Sequence, residues 1–221
     1  MSFLLLFKDE LLGFYKSKVM IFLWIGLPVL TVLFHLWAPD TGPELPFTVV
    51  SALLVSSIGG TLASAMLVVT IINEKTSRVY DLFLIKPIKR WNIILSKFFA
   101  VYVCLVIASI LALLLGMVID TFNTGLPSDV MLNSSFQSLA LSLSMIMVSS
   151  AAGVLIGVFS PSILVGVILV LYGGNQISAL ISLLPNMLKV PSPGLVTVVI
   201  GVVITCVLLG LTIFLFNKKQ F

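Results

Sequence analysis

Residues 98–119 read FFAVYVCLVIASILALLLGMVI, a run without one Lys, Arg, Asp or Glu, and its length settles the fold class. A helix rises about 1.5 Å per residue and the hydrocarbon core of a bilayer is about 30 Å thick, so roughly twenty apolar residues cross it. Five other uncharged stretches meet the same test: Val19–Ala38, Phe47–Ile72, Phe136–Phe159, Ile163–Leu184 and Leu195–Phe216. All six are expected to be helices, because a backbone in lipid must satisfy its own hydrogen bonds. The chain therefore reads as an all-α integral membrane protein with six spans, one domain over residues 1–221. Apolar residues make up 60% of it and charged residues 9%, which excludes a soluble globular domain.

The charges lie between the apolar runs and are sorted. With the N-terminus in the cytoplasm, Lys8, Lys16, Lys18, Lys75, Arg78, Lys86, Lys89, Arg90, Lys97, Lys218 and Lys219 fall inside and only Lys189 outside. The positive-inside bias selects that orientation, and an even number of spans returns the C-terminus to the cytoplasm. The net charge of +4 is then a topology signal. Because the Lys and Arg residues border anionic lipid, membrane lipid and not nucleic acid is the expected partner. Met1–Phe7 lacks the basic region of a secretory signal, so no cleavage is expected.

Asp, Glu, Lys and Arg are missing from the runs themselves, which argues against transport driven by a buried carboxylate and against an intramembrane hydrolase. Cys104 and Cys206 stand inside spans with no ligand at metal spacing, so both are expected to pack and no metal site is expected. His35 sits beside Trp37 near the outer end of span one, as an interfacial residue does. The remaining polar content is small and neutral. Ala52, Ser56, Gly60 and Ser64 recur every four residues along span two, with Ser57 and Thr61 beside them. In the fourth span Ser134, Ser138 and Ser142 lead to Ser149, Gly153 and Gly157. Such stripes serve close helix packing, a translocation cavity, or both. In span five, Gly173 and Gly174 precede Asn175 and Gln176, a combination that breaks or kinks a helix beside a cavity or a partner. The candidate path is accordingly Ser56, Gly60, Thr61, Ser64, Asn175 and Gln176.

The long inner loop, residues 73–97, reads NEKTSRVYDLFLIKPIKRWNIILSK. Thr76–Ile85 is expected to form a short helix with Val79, Leu82 and Phe83 on one face, ended by Pro87. A second helix follows Pro87, with Trp91 and Lys97 anchoring the entry to span three. The short helix is either a membrane-surface helix or an apolar knob that docks into a cytoplasmic partner.

Glu74-Lys75, then Tyr80-Asp81-Leu82-Phe83, Lys86-Pro87-Ile88-Lys89-Arg90, Ile94 and Lys97 resemble the loop between spans two and three of type-2 ABC transporter permeases. Phe7-Lys8-Asp9-Glu10-Leu11, Lys16-Ser17-Lys18 and Pro28 also match, and the six-span layout extends the resemblance along the chain. The sequence departs from the common form in having Thr76–Val79 where many members carry Glu-x-Gly-Thr.

The resemblance implies an interfacial N-terminal helix over residues 1–18 and a cytoplasmic coupling helix within 73–97. It implies a second permease copy, as a homodimer or a similar heterodimer, and two cytoplasmic ABC ATPase subunits. ATP and Mg would be bound by those ATPases, with no cofactor on this chain. The ATPase-coupling residues would be Glu74, Lys75, Val79, Tyr80, Asp81, Leu82, Phe83, Pro87 and Arg90. The implied function is the permease of an ATP-driven exporter in the plasma membrane of a prokaryote, carrying an amphipathic lipid, peptide or drug-like substrate. Haem export, copper maturation and sodium export fit the same family. A scaffold that recruits a cytoplasmic partner through this loop, and a passive facilitator, are the readings from other classes.

The orientation is directly testable. Cysteines introduced at Thr76 and Asn217 should be shielded from an impermeant thiol reagent in intact cells, and one at Thr124 should be labelled; the reverse pattern would invert the topology.

Overall fold

The structure is a computed structural model that describes residues 3–37, 47–77, 90–124, 129–174, 176 and 193–218. Its elements are α1 (Phe3–Tyr15), α2 (Lys18–Trp37), α3 (Phe47–Thr76), α4 (Arg90–Thr124), α5 (Asp129–Phe159), α6 (Ile163–Leu169) and α7 (Pro193–Lys218). α6 continues into a π-helical turn, Val170–Gly174. Among the described residues five helices, α2 to α5 and α7, are long and apolar enough to cross a membrane. The all-α expectation holds with those five. The expected span Ile163–Leu184 is seen as a shorter apolar helix, Ile163–Gly174, and all of its later part but Gln176 lies outside the described residues.

Several helices overrun the uncharged runs: α5 starts at Asp129, ahead of Phe136, and α3 and α4 overrun at the charged end. α3 continues past Ile72 to Thr76, whose hydroxyl donates to the Ile72 carbonyl at 2.9 Å, while the Ser77 N–H donates to Asn73 at 2.8 Å. Thr76 thus closes α3, where the sequence reading had it open a new helix, and Glu74 and Lys75 stand on α3 itself. α4 starts at Arg90, so the segment expected as a separate helix after Pro87 and the third span are one helix of 35 residues. An uncharged run marks where side chains can meet lipid; a helix propagates as long as neighbours support it. Buried Ile93, Ile94 and Phe98 supply that support at the start of α4.

The packing is built on small residues. α3 and α5 share the most extensive interface. A Cβ placed on Gly153 would lie 2.5 Å from the Ser64 Cα, and one on Gly60 would lie 3.2 Å from the Ser149 side chain. Without a hydrophobic drive between helices in lipid, such backbone approach and interhelical hydrogen bonds hold spans together. The Ser149 hydroxyl supplies one, donating to the Gly60 carbonyl at 2.6 Å. α5 also meets α7, where a Cβ on Gly201 would stand 3.0 Å from the Ser144 Cβ. α6 closes on α3 at Gly166, whose Cβ position is 2.5 Å from a Val68 methyl.

The remaining helices rest on α4. The Trp24 indole of α2 donates to the Cys104 carbonyl at 3.0 Å, and Met20, Leu23 and Leu27 are buried beside it. α1 lies along α4 through Leu6 and Phe14, with Phe3 edge-on to Phe99 at 6.2 Å between ring centres.

Gly153→Ala must therefore separate the α3 and α5 backbones, and overpacking of this kind costs about 1–3 kcal/mol. Gly210→Ala, where a Cβ meets nothing within 4 Å, should be neutral. Thermal unfolding of the two variants in detergent should show a lowered midpoint for the first only.

Candidate functional site

Along α1, Leu6, Glu10 and Phe14 recur every four residues, which puts one carboxylate in the middle of a packed face. A carboxylate there needs a partner, because burying an unpaired charge is costly. Lys97 of α4 supplies it. Its side chain is among the most buried in the protein, 1% exposed, and its Nζ donates to Glu10 Oε1 and to Glu74 Oε1, each at 2.5 Å. Glu74 comes from the last turns of α3, so three helices meet on one ammonium group.

Two carboxylates share that ammonium group. Burial pushes the Glu10 carboxyl above its usual range against the pull of Lys97, and the charges of Glu74 and Asp9 push it further. The second oxygen of Glu74, Oε2, is buried without a hydrogen bond. Beside it, Lys75 donates to the Ser160 carbonyl at 3.3 Å, just past the end of α5. Adjacent residues on α3 therefore reach in two directions, one to α1 and α4 and the other to the α5–α6 junction. The arrangement has the chemistry of a mechanical tie that can also hold a proton. Among the described residues no group of three His, Cys, Asp or Glu could hold a metal ion.

Of the expected coupling residues, Glu74 and Lys75 belong to this site. Val79, Tyr80, Asp81, Leu82, Phe83 and Pro87 lie outside the described residues, and Arg90 is the first residue of α4. Lys97, read from the sequence as an anchor at the membrane edge, is enclosed by protein.

Of the expected path, Ser56, Gly60 and Ser64 are buried, and Gly60 and Ser64 meet α5 through Ser149 and Gly153. Thr61 is partly exposed, its hydroxyl turned back to the Ser57 and Ile58 carbonyls. Gln176 is exposed and Asn175 lies outside the described residues. The π-helical turn brings its last residue to α3, for a Cβ on Gly174 would stand 3.9 Å from the Ser64 hydroxyl. Ser64 of the serine stripe and Gly174 of the glycine pair are thus neighbours in space.

The role of Glu10 went unseen in the sequence. A signal was present: a carboxylate four residues from Leu6 and four from Phe14 calls for a buried cation, and Lys97 directly precedes buried Phe98.

The family model described as ABC-2 family transporter protein matches residues 44–195, over half of the chain. Glu74 and Lys97 lie within that range and Glu10 before it. No curated protein matches the chain.

Removing the shared cation leaves two partly buried carboxylates face to face. Lys97→Met should therefore cost about 3–5 kcal/mol, whereas Glu10→Gln, which leaves the Glu74–Lys97 pair intact, should cost less. The pH dependence has a definite sign. A carboxyl whose pKa is raised by folding contributes stability that is full below its unfolded value, near 4.5, and lost as pH rises through the folded value. Unfolding midpoints in detergent should thus fall as pH rises above about 4.5, and Glu10→Gln should flatten that slope.

Proposed function

The chain belongs to the ABC-2 family of membrane transport proteins, and we propose that it is the permease subunit of an ATP-driven exporter for an amphipathic or hydrophobic substrate. Membrane subunits of this family normally pair with a cytoplasmic ATPase and are generally not catalytic themselves. The observation that carries the proposal is the Lys97 tie. α3 ends at Thr76 and α4 begins at Arg90, and their ends are joined by Glu74 and Lys97 with α1 attached through Glu10. A force applied to the intervening loop is therefore delivered to three helices at once.

In this reading the loop is the docking point for an ATPase. Val79, Leu82 and Phe83 form its apolar knob, with Tyr80 and Asp81 beside them. Pro87 and Arg90 set the return into α4, and Glu74 and Lys75 pass the movement to the bundle. The charged end faces the cytoplasm of a prokaryote. Two ATPase copies, each binding ATP and Mg, act on two permease copies. The exposed flank of α3 at Thr61, with Asn175 and Gln176, lines the path. Ser56, Gly60 and Ser64 hold its wall against α5. A path of hydroxyls and amides without charge suits a lipid, peptide or drug-like cargo.

Phe83→Asp places a charge that must be desolvated without a partner in the centre of the proposed contact. It should lower stimulated ATP turnover of the co-purified complex by at least about tenfold while leaving membrane insertion unchanged. Unchanged turnover, or a co-purifying partner without ATPase activity, would remove the coupling role and favour a scaffold.

A further inference from the structure

α2 buries Met20, Leu23, Leu27 and Thr31, and its open side borders a groove. A cavity of about 560 Å³ runs between α2 and α3, from Lys18 in the first turn of α2 past Phe22 and Gly26 to Leu33, with Ile58 and Leu62 as its far wall. Lys18 to Leu33 spans fifteen residues, about 22 Å of helix rise, whereas one leaflet of hydrocarbon is about 15 Å thick. Among the described residues lining it, Lys18 is the one with a polar side chain; all the others are apolar.

We propose that this groove is a binding site for one resident phospholipid with an anionic headgroup, its phosphate on Lys18 and an acyl chain along Gly26 towards Leu33. Charge complementarity selects the headgroup, because a basic residue at the rim of an apolar groove between spans attracts anionic lipid. The first turn of α2, where Lys18 sits, carries the positive end of the helix dipole and adds to the attraction. The chemistry of the walls selects a chain over a second copy of the protein. Interfaces between spans are rich in small residues; the close approaches at Gly60, Gly153, Gly157, Gly166 and Gly201 lie between α3, α5, α6 and α7, and Gly26 is the one small residue among the described lining of the groove. The groove is instead walled by Ile, Leu, Val and Phe. Among the described lining residues no polar side chain lies beyond Lys18 to carry a headgroup along the groove, so the lipid resides there and is not cargo. This site does not depend on the proposed coupling to an ATPase.

Gly26 offers a clean test. The nearest neighbour of a Cβ there would be the Phe22 ring, at 3.7 Å, an ordinary contact, so Gly26→Leu adds its side chain to the groove without a backbone clash. The full chain in detergent would be titrated with phosphatidylglycerol or phosphatidylcholine of matched acyl chains and the lipid adducts measured by native mass spectrometry. The wild type should prefer phosphatidylglycerol by about fivefold, the effect of one Lys near the headgroups. Lys18→Gln should erase the preference and keep the phosphatidylcholine affinity, Lys18→Arg should retain the preference, and Gly26→Leu should weaken both lipids with an unchanged helical circular-dichroism signal. Equal affinities in the wild type, or a preference that survives Lys18→Gln, would overturn the proposal. So would a smaller assembly in Gly26→Leu, which would place a second copy in the groove.

Discussion

One ammonium group organises the charged end of this protein. Lys97 is almost wholly enclosed, and its enclosure is tolerable only because Glu10 and Glu74 both accept hydrogen bonds from it. Each of the three residues would be unfavourable without the others. Glu10 interrupts the apolar face of α1, and Glu74 sits on α3 with one oxygen already unpartnered. Buried ion pairs add little net stability compared with apolar packing, but they strongly penalise arrangements that break them. That asymmetry suits a place where three helices must stay in register.

The tie works because the bundle behind it is stiff. α3 and α5 approach at Gly60, Gly153 and Gly157 until backbone meets side chain, and α6 closes on α3 at Gly166. Interiors packed at this density transmit displacement instead of absorbing it. α3 is therefore the shared member: it carries the small-residue interface along its length and Glu74 and Lys75 at its end. A movement of the charged end reaches α5 by two routes, through the packed serines and through Lys75 at the Ser160 carbonyl. The π-helical turn beside Ser64 is the point where this regular packing changes, and departures of that kind gather at functional places in helices.

α2 contrasts with the rest. It is pinned to α4 by Trp24 and its buried neighbours, yet its other face carries large exposed apolar side chains, Phe22 and Ile25 among them. In water such a face would signal a missing partner. In a bilayer lipid is a partner, and the groove with Lys18 at its rim gives that contact a defined position.

Fold class was legible from the sequence because spanning a membrane is a one-dimensional condition. The length of an uncharged run decides whether a helix can cross. Runs such as Phe98–Ile119 and Phe136–Phe159 carried that information locally, and the corresponding helices α4 and α5 contain them. Family resemblance was legible for the same reason, being written in contiguous residues of residues 73–97. The helix ends were not: α3 and α4 extend beyond their uncharged runs because neighbours, not lipid, surround Glu74 and residues 92–97. Nor could spacing say whether the Ser56–Gly60–Ser64 stripe meets another helix, since any small-residue face looks the same along the chain; only the position of Ser149 and Gly153 opposite Gly60 and Ser64 decides it. The meeting of residues 10, 74 and 97 was beyond sequence pattern altogether. It depends on how three helices are brought together in space, and an ion pair between residues so far apart in the chain exists only once that packing has formed.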